Sequence, residues 1–267
     1  MSEYYTLEEA MKVLDLPRST FLRNVKLGLI PSELEEGKRR GRTYPKKAID
    51  AMAEVQLQKR RKGEITNRIF SPSTPSDMWQ EIVIGTELYG EDDVVPYKTI
   101  LEWREINDEM HMSIKERGKV VAYSCLMPMD EGVLISLVHD KIRERHIPNQ
   151  SIKQWIDPSI SVYVSSLTVK PSGNAQLDIE RAVFLIRHTV KWALSLHRQF
   201  DIKNWYGIGA TKEGQRLFES LGFTCLVSLY NGERKGYILG DVKQPTRLLK
   251  QFLDEMKYSV SLSEIQQ

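Results

Sequence analysis

The sequence lacks the features that mark several large classes of protein. Its only two cysteines, Cys125 and Cys225, are far apart and cannot form a disulfide framework or a metal site. Each lies in an apolar, strand-like run, which predicts two small buried hydrophobic residues. No apolar run approaches the ~18 residues needed to span a bilayer, and the N-terminus has no signal-peptide core. We therefore expect a cytoplasmic protein without a membrane partner.

Signatures of catalysis are equally scarce. The five histidines show no spacing typical of metal ligands, and the chain contains neither a Gly-rich phosphate loop nor a Gly-x-Ser-x-Gly motif. No metal is expected, and residue chemistry alone assigns no catalytic residue.

Charge is distributed unevenly along the chain. The net charge of +2 would not by itself suggest a nucleic-acid partner. Residues 1–62 contain 14 Lys and Arg against 9 Asp and Glu, a net +5, while the other 24 basic and 27 acidic residues give −3. The basic excess therefore lies at the N-terminus, which favours a polyanionic partner for that segment.

Apolar spacing predicts two short helices near the N-terminus. The first covers Leu7–Leu14 with Thr6 as its N-cap. Pro17 opens the second, which runs to about Lys26 and is ended by Gly28. The inner face of the second helix is predicted to consist of Phe21, Leu22 and Val25.

A basic hairpin is predicted over residues 36–45, followed by a third helix over 46–62. Six cations fall within ten residues of this segment: Lys38, Arg39, Arg40, Arg42, Lys46 and Lys47. Such a wing neutralises phosphate charge and gives affinity that depends on salt and not on base sequence. Lys38, Arg39, Arg40 and Arg42 are the candidate phosphate contacts.

The outer face of the second helix supplies candidate base contacts. Thr20, Arg23 and Asn24 share one face by their i, i+3, i+4 spacing, and Arg18 and Ser19 lie at the helix start. An arginine can chelate guanine and an asparagine can pair with adenine in the major groove. Paired helices are also common in all-α domains, and basic runs are usually solvated, so the hypothesis depends on the wing beside the helices.

This N-terminal segment resembles the MerR/excisionase family of DNA-binding domains. The residues that carry the resemblance are Tyr5-Thr6-Leu7-Glu8-Glu9-Ala10, Leu14, Arg18-Ser19-Thr20, Gly28-Leu29-Ile30-Pro31 and Arg42-Thr43-Tyr44. The resemblance implies a winged helix-turn-helix that binds double-stranded DNA, often as a homodimer on palindromic sites. The third helix ends in Lys59-Arg60-Arg61-Lys62 and not in a long heptad, so a coiled-coil dimer is not predicted.

A Ser/Pro-rich stretch divides the chain. The predicted organisation is a DNA-binding domain over 1–62, a linker over 63–78 and a second domain over 79–267. In the second domain the patterns predict helices at 79–88, 97–107, 133–145, 177–199 and 212–221, and strands at 110–116, 119–127, 160–169, 205–210, 223–230 and 235–239. Strands and helices in this order indicate a two-domain α/β (α+β) protein whose second domain has a mixed sheet flanked by helices.

The second domain resembles the GNAT acyltransferase fold. The resemblance is carried by Leu167-Thr168-Val169-Lys170-Pro171, by the long helix after it, and by Phe218-Glu219-Ser220-Leu221-Gly222-Phe223. It implies that main-chain groups of Leu167, Thr168 and Val169 pair with the pantetheine arm of acetyl-CoA or another acyl-CoA. It also implies that the start of the long helix, with Ser172, Gly173, Asn174 and Ala175, receives the pyrophosphate.

Two positions depart from the family pattern. The loop before the long helix contains one glycine, Gly173, and no arginine before Arg181, and the tyrosine that often serves as general acid in the family is Phe218 here. Three hypotheses follow. The first is a DNA-binding transcriptional regulator whose GNAT-like domain binds an acyl-CoA, another ligand or a partner and is catalytically weak. The alternatives are an active N-acyltransferase that uses acetyl-CoA, and an excisionase-like accessory DNA-binding factor.

Overall fold

The computed structural model describes residues 3–34, 41–55, 68–240 and 244–265. The chain divides into two compact units, Met1–Arg68 and Ile69–Gln267. Of the predicted N-terminal features, Lys38, Arg39 and Arg40 of the wing, the end of the third helix and residues 63–67 of the linker lie outside the described residues. The two units are described separately below.

The described part of the first unit contains three helices and a short strand pair. The helices are α1 (Leu7–Leu14), α2 (Arg18–Lys26) and α3 (46–55), and β1 (Tyr4–Tyr5) pairs antiparallel with β2 (Tyr44–Pro45). Glu33 and Thr43, which flank the basic segment Lys38–Arg42 in the sequence, exchange both backbone hydrogen bonds at 2.9 Å. The predicted α1 and α2 are confirmed.

Local sequence explains where α1 begins. Thr6 accepts from the backbone N–H of Glu9, and the Glu9 carboxylate accepts from the backbone N–H of Thr6, a reciprocal cap that typically contributes about 1 kcal/mol. The core of this unit consists of Ala10, Leu14, Phe21, Ile30, Tyr44 and Ile49. Phe21 meets Tyr44 edge to face at 5.1 Å. Leu22 is 43% exposed, so its predicted place on the inner face of α2 is wrong, because only Phe21 and Val25 turn toward α1 and β2.

A seven-stranded sheet organises the second unit. The strands are β3 (Arg68–Pro72), β4 (His111–Glu116), β5 (Lys119–Met129), β6 (Ile160–Val169), β7 (Ile202–Gly209), β8 (Thr224–Leu229) and β9 (Arg234–Leu239). Their order in space is β3-β4-β5-β6-β7-β9-β8. β6 and β7 run parallel, whereas β4–β5, β5–β6, β7–β9 and β9–β8 are antiparallel.

Helices cover both faces of this sheet. They are α4 (Pro75–Tyr89), α5 (Tyr97–Ile106), α6 (Glu131–Val138), α7 (Ala175–Gln199), α8 (Lys212–Leu221) and α9 (Arg247–Ile265). A core on one face contains Trp103, Met127, Leu134, Leu137 and Tyr163, and a core on the other contains Leu126, Val162, Leu196, Ile202 and Trp205. The predicted mixed sheet flanked by helices is confirmed. No described helix combines the length and the apolar character needed to cross a membrane.

The chain departs from the sequence-based prediction at three places in this unit. Residues 68–78, predicted as linker, form β3 and the first turn of α4, because Thr74 and Asp77 cap that helix reciprocally and Pro75 occupies its first turn. The helix predicted over 133–145 ends at Val138. Cys225 is exposed and not buried, since β8 is the edge strand of the sheet, whereas the prediction of a buried Cys125 is confirmed.

Candidate functional site

The two parallel strands at the centre of the sheet separate before they end. Their ladder runs from Ile160↔Ile202 to Val164↔Gly207 and stops there. β6 continues to Val169 and β7 to Gly209, so the last residues of both strands lie beside a gap. Backbone groups on this edge of β6 are available to a ligand that adds to the sheet as an extended chain would.

A β-bulge lies on β6 at the head of the gap. Cys125 of β5 pairs with Ser166, and the next residue, Leu126, pairs with Val164, so the ladder skips Ser165. A bulge re-aims the skipped residue and its backbone groups, and bulges occur frequently beside active sites. Ser165 therefore has no cross-strand partner in the β5–β6 ladder or in the β6–β7 ladder.

A cavity of about 560 Å³ occupies the gap and passes through the sheet. On one side it is lined by α4, α5, β4 and β5 together with residues 143–145, and on the other by α7 and α8. Residues 163–169 of β6 line it along its length. Two substrates could therefore reach the bulge from opposite faces of the sheet.

Glu144 is the carboxylate held closest to the bulge by hydrogen bonds. Tyr163 donates to its Oε1 at 2.5 Å and Ser165 donates to its Oε2 at 3.3 Å. Burial raises the pKa of Glu144 despite these two hydrogen bonds and the charge of Arg234. A cavity-lining carboxylate with a raised pKa has the properties of a general base or acid at neutral pH.

A cysteine and a histidine face each other on the wall of the same cavity. His111 of β4 is the cross-strand partner of Cys125 of β5, and His111 Nε2 lies 3.5 Å from Cys125 Sγ. Both side chains are buried, with exposures of 7% and 2%. The pair is adjacent to the bulge, because Cys125 is also the partner of Ser166 on β6.

Glu81 of α4 completes this group and lies beside the other ring nitrogen of His111. Its Oε2 lies 3.6 Å from His111 Nδ1, and its Oε1 accepts from Ser73 at 2.6 Å and from Ser113 at 2.7 Å. Burial lowers the pKa of His111, but Cys125 and Glu81 outweigh it and raise the pKa to about 10. Burial raises the pKa of the Cys125 thiol against the influence of His111. The group therefore places the imidazole of His111 between the carboxyl of Glu81 and the thiol of Cys125.

Side chains in the turn between β6 and α7 accept hydrogen bonds from four of its backbone N–H groups. The Asp178 carboxylate accepts from the backbone N–H of Ser172 with both oxygens, at 3.0 and 3.2 Å, and Ser172 Oγ accepts from Asn174 N–H. Asn174 Oδ1 accepts from the N–H groups of Gln176 and Leu177. An anion at this helix start would have to displace side chains of the protein itself.

The residues predicted to hold an acyl-CoA therefore fall into two groups. Leu167, Thr168 and Val169 line the cavity on β6. Ser172, Gly173, Asn174 and Ala175 lie in the turn and at the start of α7, outside the lining of the cavity. The first group lines the same cavity as the bulge and Glu144, and the second group does not.

Phe218 contributes packing at this site. It lies against Tyr237 and Phe223, with ring centroids 5.2 and 4.9 Å apart. A Cβ added at Gly207 would come within 2.2 Å of the Phe218 ring, so the bare glycine lets this ring lie on β7. Tyr230 is 61% exposed and donates to Asp140, away from the cavity.

The predicted base contacts of the first unit all lie on α2. Arg18, Ser19, Thr20 and Arg23 are exposed and Asn24 is half-buried. Arg42 donates to Ser32 Oγ at 2.9 Å beside the Glu33–Thr43 bridge. No group of three metal-ligating side chains occurs in the parts of the chain that the structure covers.

No protein-family model matches the chain, and no curated protein is significantly similar to it. Solved structures resemble about two thirds of it. Ard1 from Thermoplasma volcanium is 12% identical over 66% of this chain and 99% of its own, with a TM-score of 0.43. NAA60 from Arabidopsis thaliana, in complex with acetyl-CoA, is 15% identical over 65% and 99%, with a TM-score of 0.43. The loading GNATL domain of CurA from Lyngbya majuscula is 10% identical over 66% and 98%, with a TM-score of 0.45. These proteins are what the chain is similar to, and no residue's role follows from them.

Proposed function

We propose that the second unit is an N-acyltransferase of the GNAT type, which moves an acyl group from a pantetheine thioester such as acetyl-CoA to an amine. The observation that carries this proposal is the cavity through the gap between β6 and β7, with the bulge at Ser165 and the Glu144 carboxylate on its wall. An acyl donor entering along α7 and an amine entering beside α4 and α5 would meet at the bulge.

The free edge of β6 suits the donor. A pantetheine arm carries two amides in an extended chain, and the backbone of Leu167–Val169 offers amide groups along the gap. The start of α7 suits the nucleotide end of acetyl-CoA less well, since Asp178 and Asn174 already accept from the N–H groups of Ser172, Gln176 and Leu177. We expect the pantetheine arm to supply most of the affinity, and acetyl-CoA to bind weakly.

Glu144 suits the acceptor. An amine must lose a proton when it attacks the thioester carbonyl, and a carboxylate with a raised pKa is a better base than an exposed one. The hydrogen bonds from Tyr163 and Ser165 fix the orientation of that carboxylate toward the bulge. Phe218 leaves the departing thiolate without a tyrosine donor at that position.

Calorimetric titration of the full chain with acetyl-CoA and with S-acetylpantetheine tests the donor site. We expect the two ligands to bind with similar affinity, because the nucleotide adds little. Ala182→Phe, on the cavity side of α7, should abolish binding of both, whereas Val183→Phe, on the 60% exposed face of the same helix, should leave it unchanged. Absence of binding to both ligands by the unaltered chain would refute the proposal.

A second function is proposed for the first unit, binding of duplex DNA through α2 and the basic segment. The specific support is that Arg18, Ser19, Thr20 and Arg23 of α2 are all exposed. The Glu33–Thr43 bridge also joins the residues that flank the basic segment, beside Arg42. Polar groups on an exposed helix suit a major groove, and cations on a hairpin suit the phosphate backbone.

Selection of a preferred site from random duplexes, followed by binding of variants, tests this second function. Arg23→Ala should cost about 1–3 kcal/mol on the selected site and little on random DNA, as expected for a contact to a base edge. Lys12→Ala, an exposed cation on α1, is the matched control and should have little effect on either. Equal losses on both DNAs for Arg23→Ala would make it a phosphate contact.

A further inference from the structure

The Cys125–His111–Glu81 group is not used by direct transfer from the donor to an amine. We propose that Cys125 accepts the acyl group from the donor as a thioester on the enzyme and then passes it to the acceptor. This inference rests on the proposed acyl transfer and deepens it, because it divides the reaction into two half-reactions at one site.

The geometry supplies a nucleophile, a base and a group that orients the base. Cys125 Sγ lies 3.5 Å from His111 Nε2, and Glu81 Oε2 lies 3.6 Å from His111 Nδ1. Ser73 and Ser113 hold the Glu81 carboxylate by its other oxygen. This is the order of roles found where a thiol is activated for covalent catalysis.

The position of the group connects it to the proposed donor site. Cys125, His111 and Glu81 all line the cavity, and Cys125 pairs with Ser166 next to the skipped residue Ser165. A thioester carbonyl at the bulge would therefore lie beside Cys125. Glu144 is near the same point, because it accepts a hydrogen bond from Ser165. If the Cys125–His111–Glu81 group only stabilised the core, it would not need to lie on the wall of the cavity.

The proposed first half-reaction begins when His111 takes the proton of the Cys125 thiol, which leaves a thiolate beside an imidazolium. The thiolate of Cys125 attacks the carbonyl carbon of the acyl donor and forms a carbon–sulfur bond. The bond between that carbon and the donor sulfur breaks, and the departing thiolate takes the proton from His111. The products are a free donor thiol and an acyl group on Cys125.

The second half-reaction returns the enzyme to its starting state. An amine attacks the carbonyl carbon on Cys125 and loses its proton to Glu144. The bond to Cys125 Sγ breaks, and the amide leaves with Cys125 as a thiolate. The Glu144 proton passes to solvent, and neutral His111 regains a proton from it, so no oxidant, reductant or further reactant is required.

The test uses the chain's two cysteines. In this chain with the change Cys225→Ser, Cys125 is the one cysteine left in the sequence, so an acylated cysteine can only be Cys125. Incubation with p-nitrophenyl acetate should release a burst of one equivalent of p-nitrophenol, and intact-protein and peptide mass spectrometry should place one acetyl group on Cys125. The same protein carrying Cys125→Ser should show neither burst nor adduct.

Variants of the other two members test their roles. Glu81→Gln keeps an oxygen for Ser73 and Ser113 and should slow the burst without changing its amplitude, and His111→Gln should slow it by about 10²-fold or more. Thermal unfolding of each variant shows whether the fold persists. A normal burst rate in a folded His111→Gln protein would overturn the proposed role of His111.

Failure of this inference and failure of the proposed function give different results. Acetylation of Cys125 by p-nitrophenyl acetate does not need a pantetheine site, so a chain that fails to bind acetyl-CoA can still show the burst. Conversely, undiminished transfer from acetyl-CoA by Cys125→Ala protein, with no acetyl group found on Cys125 in the unaltered chain, would overturn the inference and leave the acyltransferase intact.

Discussion

Glu144 shows how one residue's surroundings set its chemistry. Its two oxygens accept from Tyr163 and Ser165, yet burial still raises its pKa. A carboxyl with a raised pKa stays protonated to a higher pH than an exposed one, and only its ionised form can accept a proton from an amine. Below the raised pKa the base is therefore lost.

Glu144→Gln should lower the rate of acyl transfer to an amine by about 10²–10⁴-fold, the usual contribution of a general base. In the unaltered chain the rate should rise with pH through the pKa of Glu144, and this rise should be absent in the variant. A pH–rate profile at saturating donor measures both. Glu213→Gln, also on the cavity wall, is the matched control and should keep the profile. The same pH dependence in Glu144→Gln protein would exclude Glu144 as the base.

At the scale of elements, the start of α7 differs from a helix N-terminus open to an anion. Asp178 closes the turn on Ser172 N–H, and the Asn174 side chain caps the helix. Both interactions stabilise the helix, and a carboxylate is favourable near this end of the dipole. The same contacts keep those donors from a pyrophosphate.

Asp178→Ala should free the Ser172 N–H and tighten binding of acetyl-CoA by roughly fivefold, equivalent to about 1 kcal/mol. Binding of S-acetylpantetheine, which has no pyrophosphate, should not change. Glu180→Ala removes the same charge one turn into the helix, where the carboxylate accepts only from Gln176 Nε2 among its described partners. If Glu180→Ala tightens binding as much as Asp178→Ala, net charge and not the occupied N–H is the cause.

The same scale shows what sequence could and could not predict. The β4–β5 hairpin could be predicted from the sequence, because Arg117–Gly118 supplies a two-residue turn. Both of these residues have positive φ in the structure. The register of the hairpin is not readable, because β5 contains one extra residue, Val121, between Ala122↔Ile114 and Val120↔Lys115. Counting from the turn places Ser124 opposite His111, whereas the bulge places Cys125 there. Glu81 joins them from a separate helix, so no spacing in the sequence indicates the group.

Other limits of prediction have similar causes. β3 pairs with β4 although its sequence, Arg-Ile-Phe-Ser-Pro, runs into a Ser/Pro-rich stretch typical of linkers. The long strand β6 was predictable because its β-branched and aromatic residues continue for ten positions. The gap beside it was not, since strand separation depends on the partner strand.

At the scale of the whole molecule, the two compact units have different proposed ligands, duplex DNA for the first and an acyl thioester for the second. The first carries the basic excess, and the second is net acidic and contains the cavity at the gap between β6 and β7. Affinity for duplex DNA should therefore depend steeply on salt, through release of counterions from the phosphates. Binding of an acyl thioester through a pantetheine arm should depend on salt far less.

Replacement of Arg39, Arg40 and Arg42 together by alanine should weaken binding of the full chain to all DNA sequences. It should also flatten the slope of log affinity against log salt by about 3 units, near 0.9 for each phosphate contact. Fluorescence anisotropy across a salt series measures the slope. Alanine at the exposed lysines Lys98, Lys119 and Lys212 of the second unit removes the same charge and should leave the slope unchanged. An unaltered slope in the arginine variant would refute the role of the basic segment.

The extra residue Val121 has an evolutionary consequence. Insertions and deletions of one residue are ordinary events in hairpins, and here such an event decides whether a thiol or a hydroxyl faces His111. Loss of one residue from β4, with the bulge retained, would place Ser124 opposite His111 without any substitution at either position, whereas loss of Val121 would remove the bulge and leave Cys125 there. Among descendants of this chain, the chemistry at this pair would then be inherited through strand length, and comparison by residue identity alone would miss when it was gained or lost.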